Sequence, residues 1–97
     1  MKLNILGSNF DGGEKANKQL NELVEVLLKT NSKSEMIDFL EGILTPKELL
    51  EIPNRLEIVK MLKKGISQHD IAGKIGVGIA TVTRGSREIQ KGRFQYV

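Results

Sequence analysis

Apolar residues recur along this chain at helical spacing, and no stretch shows the two-residue alternation of a strand. Leu20, Leu23, Val24, Leu27 and Leu28 fall at i, i+3, i+4, i+7 and i+8. That stripe marks an amphipathic helix beginning near Glu14. Met36, Ile37, Leu40, Ile43 and Leu44 form a second face of the same kind. The helix starts are also marked. Ser32 to Glu35 and Thr45 to Glu48 are capping boxes, and Pro46 stands at the first helical position, where a missing N–H costs no helical bond. Pro53 followed by Asn54 to Glu57 predicts a further start, Gly65 after Lys63 and Lys64 a stop, and Ser67 to Asp70 another start. The pattern predicts an all-α fold of five to six short helices. Residues 1–13 lack any sustained period and read as a flexible arm, followed by a single helical domain over residues 14–97.

The segment from Ser67 to Arg87 carries the most information. A helix-turn-helix needs a small residue where its helices touch and, four positions on, a Gly free to take a positive φ in the turn. Six further on it needs a β-branched residue that seats the second helix on the first. Ala72, Gly76 and Val82 meet that spacing, with Ile71, Ile75, Val77 and Ile79 as the surrounding apolar positions. The motif therefore spans about 67–87, with a second helix from Gly78 or Ile79 onward. Its exposed side offers Gly78, Ile79, Ala80, Thr81, Thr83 and Arg84 to a DNA groove. Ile and Ala suit a thymine methyl, Thr a methyl or a base edge, and Arg a guanine or a phosphate. Ser67, Gln68 and His69 open the first helix, whose free N–H groups suit a phosphate.

Charge agrees with that reading. Residues 1–53 carry six basic and nine acidic side chains, residues 54–97 nine basic and three acidic. A balance of −3 beside one of +6 points the second half at a polyanion. Composition narrows the rest. There is no cysteine and a single histidine, so no disulfide framework, thiolate nucleophile or histidine-cluster metal site is expected. Gly76-Val-Gly78 is only a fragment of a dinucleotide fingerprint and follows a helix, not a strand. No enzyme is expected, nor a signal peptide or membrane span, and the cytoplasm is the expected location. Both apolar faces, Leu20 to Leu28 and Met36 to Leu44, exceed what one small chain covers, so a homodimer is expected.

The run Gly78-Ile-Ala-Thr-Val-Thr-Arg-Gly-Ser86 resembles the reading helix of the Trp repressor family, and Leu44-Thr45-Pro46 and Arg55 match that family's pattern in order and spacing. The resemblance covers roughly Phe39 to Ser86. It implies an intertwined helical homodimer that binds a double-stranded operator, with readout partly through water. It also implies a repressor controlled by an amino-acid co-repressor, L-tryptophan foremost. Arg55 and Arg84 would flank the ligand's ring, Gly85 would leave room for it, Leu44 and Thr45 would come from the partner subunit, and residue 88 would meet the ammonium group. Glu88 stands where the family has a serine, and Gly42 where it has an apolar side chain. On a helix, Glu88 lies one turn from Arg84, so it is expected to face the ligand or to pair with Arg84. Two other readings compete: a DNA-binding protein of this family without ligand control, and a helical protein-interaction module.

Overall fold

The computed structural model describes residues 10–97, so most of the expected N-terminal arm lies outside the described residues. Among the described residues five helices follow one another: α1 Glu14–Lys29, α2 Lys33–Ile43, α3 Pro46–Lys63, α4 Gln68–Ile75 and α5 Ile79–Gln90. No strand occurs among the described residues, and the fold is all-α as the periodicity requires. The helices form two compact units, Met1–Ile43 and Leu44–Val97. The single domain drawn over residues 14–97 spans both.

In the first unit, α1 starts after Gly13 without a side-chain cap. At α2 the Ser32 hydroxyl accepts from the Glu35 amide at 3.2 Å, while the Glu35 carboxylate reaches past Ser32 to accept from the Asn31 amide at 2.8 Å. The apolar stripes form as expected, yet neither helix contains a fully buried residue. Leu28 is 78% exposed, and Ile37 and Ile43 are more than half exposed.

The second unit closes a core of its own. Its start is fixed by a complete capping box: the Thr45 hydroxyl accepts from the Glu48 amide at 3.2 Å, and the Glu48 carboxylate accepts from the Thr45 amide at 2.8 Å. The bond from the Thr45 amide and the closeness of the Thr45 hydroxyl, with the charge of Arg55 adding to them, hold the Glu48 carboxyl below the usual carboxylate range.

From this cap α3 runs unbroken to Lys63, with Pro53 inside it. The expected new start after Pro53 is therefore corrected. An internal proline removes one backbone bond and costs about 3 kcal/mol in a helix on its own. Here the capping box anchors one half of the helix, and the buried Ile58, Val59 and Met61 anchor the other. Pro53 itself is exposed, so its ring displaces nothing from the core. The helix ends at Gly65, at φ 83°, in a double-bonded stop: Gly65 N–H to Leu62 O at 3.0 Å and Ile66 N–H to Met61 O at 3.2 Å.

Helices α3, α4 and α5 pack on one another pairwise. Ile58, Ile71 and Val82, one from each, are completely or almost completely buried, with Met61 beside them. Leu62, Ile66, Ala72, Ile75 and Val77 surround this cluster.

Candidate functional site

Helices α4 and α5 form the helix-turn-helix. The Ser67 hydroxyl accepts from the Asp70 amide at 3.2 Å and fixes where α4 starts. Gly76 ends it in the left-handed conformation, φ 78° and ψ 38°, which a residue with a Cβ rarely takes. Both Gly76 N–H and Val77 N–H then bond to Ala72 O, at 2.9 and 3.1 Å. Val77 and Gly78 make the turn, and α5 begins at Ile79. Val82 drops into the core against Ile71, which fixes the rotation of α5 about its own axis.

That rotation decides what faces out. Gly78, Ile79, Ala80, Thr81 and Arg84 are exposed, and so are Ser67, His69 and the nearby Lys74. Gln68 and Thr83 are half-buried and bonded to each other: the Thr83 hydroxyl donates to Gln68 Oε1 at 2.7 Å. This bond ties the start of α4 to the second turn of α5. The other described α-helices have an acidic residue in the first turn; α5 has none. The partial positive charge of its N-terminus is therefore left unneutralised on the exposed side.

Beside this surface, between α3 and α5, lies an open cleft of about 670 Å³. Arg55 comes to it from α3, and Ala80, Thr81, Arg84 and Gly85 come from α5. Ala80, Thr81 and Arg84 thus belong both to the outward surface and to the cleft. Neither arginine makes an ion pair among the described residues, so two arginines without a carboxylate partner line one hollow together with the buried Ile58 and Val59. Gly85 is there because the helices cross closely: a Cβ on it would lie 3.3 Å from Ile58 Cγ2 and 3.5 Å from Leu62 Cδ1.

Three expected ligand residues do not line the cleft within one chain. The Thr45 hydroxyl is engaged by the cap of α3, and Leu44 is half-buried next to it. Glu88 is the clearest departure, for it meets neither the cleft nor Arg84. Its Oε1 accepts from Arg93 Nε at 2.7 Å and its Oε2 from Lys91 Nζ at 3.0 Å. These two bonds, Lys91 first, hold its carboxyl below the usual range. The expected partner was placed one helical turn back; the actual partners lie forward, past the end of α5.

The sequence reading also missed Phe94, which lines the cleft along with Ile52 and Leu56. The available signal was an aromatic two residues after Gly92, where chain leaving a helix stop commonly packs back on it. Among the described residues there is no cluster of three or more potential metal ligands and no helix long and apolar enough to cross a membrane.

Comparison with known proteins bears on this arrangement directly. A family model described as Trp repressor protein matches residues 18–97. A Trp operon repressor homolog of Xylella fastidiosa is 38% identical over 69 residues, covering 70% of this chain and 75% of the relative. A Trp operon repressor homolog of Vibrio campbellii is 38% identical over 76 residues, covering 75% of this chain and 74% of the relative. The uncharacterized protein YerC of Bacillus subtilis is 29% identical over 79 residues, covering 81% and 76%.

Proposed function

Because this chain belongs to the Trp repressor family, a family of regulators and not of enzymes, we propose that it is a sequence-specific transcriptional repressor. It binds double-stranded DNA in the cytoplasm as a homodimer. The observation that carries this reading is the helix-turn-helix itself: α5 is seated by Val82 and Gly76 so that Gly78, Ile79, Ala80 and Arg84 are exposed together at its start. A helix fits a major groove, and the exposed methyls and the guanidinium match thymine and guanine edges. Ser67 and His69, at the start of α4, then lie near phosphate. Gln68 and Thr83 act as a bonded pair, which fixes the two helices as one rigid reader.

The exposed apolar side chains of α1 and α2 support the homodimer reading. A two-fold pair presents two reading helices about 34 Å apart, one DNA turn, as a palindromic operator requires.

The cleft supports control by an amino-acid co-repressor, with L-tryptophan the leading candidate. Guanidinium planes stack on aromatic rings and pair with carboxylates, and an aromatic amino acid carries both groups. Leu44 and Thr45 of the partner subunit complete the site in this reading. Because Ala80, Thr81 and Arg84 serve both cleft and outward surface, a ligand there changes the reading helix through shared residues. A regulator without ligand control is the second reading, and the engagement of Glu88 by Lys91 and Arg93 favours it.

Selection of bound fragments from a random DNA pool, with and without L-tryptophan, tests both. A palindromic sequence enriched only with the amino acid supports the first reading, and one enriched equally in both arms supports the second. No enrichment in either arm leaves the protein-interaction module in possession.

A further inference from the structure

The chain beyond α5 turns back on the helices. Gly92 N–H bonds to Ile89 O at 2.9 Å and Arg93 N–H to Glu88 O at 3.1 Å, which reverses the backbone. The Glu88 carboxylate then grips Lys91 and Arg93 from inside the turn, and its own side chain is only 17% exposed. Lys63, from the last turn of α3, donates to the main-chain oxygen of Phe94 and, at 3.1 Å, to that of Val97. Phe94 itself sits at φ 63°, a left-handed conformation that a bulky side chain takes only where its surroundings impose it. Two helices thus hold one residue in an unfavourable backbone state, and its side chain lines the cleft that Arg55 and Arg84 border.

We infer that Phe94 is an aromatic wall of the ligand cleft, and that Glu88 and Lys63 are positioning residues that hold it there. The inference rests on the reading that the cleft takes an aromatic amino acid. With Phe94 in place the cleft still measures about 670 Å³. The side chain therefore borders the space and does not fill it. A ring entering the cleft meets guanidinium planes from α3 and α5 and an aromatic side chain from the tail, contacts that favour flat, electron-rich rings over aliphatic side chains. Glu88 contributes to this site through Arg93 and not by touching the ligand.

Calorimetric titration with L-tryptophan of the wild type, Phe94→Ala, Glu88→Gln and the double variant tests the inference. Phe94→Ala is expected to weaken binding about 3- to 10-fold, the worth of one aromatic contact. Phe94→Leu should recover only part of that loss. Glu88→Gln is expected to weaken binding about twofold in the wild type and to have no further effect in the Phe94→Ala background, as two residues acting through one contact require. Each variant's melting temperature, measured alongside, separates lost contact from lost fold. Unchanged or tighter binding by Phe94→Ala overturns the inference, tighter binding meaning that the ring competes with the ligand. Wild type with no heat of binding to L-tryptophan overturns the ligand reading and this inference together. Wild type that binds, with Phe94→Ala binding equally well, overturns this inference alone.

Discussion

Helices α1 and α5 look alike as sequence: each carries an apolar stripe along one face and charge along the other. Their outcomes differ. Val82 of α5 is completely buried by residues of its own chain, whereas α1 holds no buried residue and leaves Leu28 78% exposed. An amphipathic pattern specifies a face without specifying what covers it. Residues 44–97 contain three helices in mutual contact, enough to close a core within one chain. The unit up to Ile43 contributes two among the described residues, and neither of them buries a side chain completely. Its stripe is left exposed in the single chain, as the proposed homodimer requires.

Substitutions at the two kinds of site should separate sharply. Ile71→Ala removes a side chain with no exposure at all and should cost about 2–5 kcal/mol. Urea unfolding should show that loss unchanged over a wide range of protein concentration. Leu28→Glu alters a side chain already in water in one chain, where surface changes cost about 0.5 kcal/mol or less. If a second copy covers α1, the loss should instead approach the 1.5–3 kcal/mol of a buried leucine and grow on dilution, with sedimentation showing a shift from dimer to monomer. A variant as stable as the wild type at every concentration would place the interface elsewhere.

A smaller effect probes the rigidity of the head. Thr83→Val keeps the shape of the side chain and deletes the hydrogen bond to Gln68. It should lower affinity for a selected DNA sequence by about 0.5–1.5 kcal/mol, and Thr83→Ser should restore most of it. Equal affinity of Thr83→Val and wild type would show that packing alone sets the angle between α4 and α5.

The smallest effect concerns acid. The Glu88 carboxyl is held below the usual range by Lys91 and Arg93, so its contribution is complete above about pH 4.3 and is lost as pH falls through its lowered folded-state value. Phe94 ring resonances should move toward those of a free tail over that interval. Glu88→Gln should abolish the movement, while the capping carboxylate of Glu48, depressed by its bonds to Thr45, titrates low independently.

What the sequence revealed and what it hid divide along chain distance. The caps at Ser32, Thr45 and Ser67 and the stops at Gly65 and Gly76 depend on residues within five positions of one another, and each was legible. Pro53 misled because its local effect, a broken helix, is opposed by the cap before it and the core after it. Glu88 was misjudged although its partners lie only three and five positions on, because Arg93 stands past the end of α5, where helical spacing no longer applies. Phe94 was opaque through distance. The bond from Lys63 to the Phe94 main chain joins residues 31 apart, and no local period announces such a contact. Within the cleft, Arg55, Arg84 and Gly85 came from resemblance and not from pattern, since an arginine in a helix's polar face looks the same with or without a ligand.

The acid-free first turn of α5 has a consequence for speed. A helix end carries roughly half a positive charge, and a carboxylate placed there, as in the other four helices, would cancel it. Left bare, and with Arg84 on the next turn, it gives the reading face an attraction for phosphate that acts before any base is touched. Encounters that bring this face forward are then favoured over others during diffusion, and electrostatic guidance of this kind raises association rates by about 10- to 1,000-fold. The gain should fade as salt is added, since screening shortens the reach of the field to about 10 Å at 0.1 M. An acid introduced at Ala80 should therefore slow arrival at DNA as well as shorten residence there, and stopped-flow mixing at low and high salt would resolve the two.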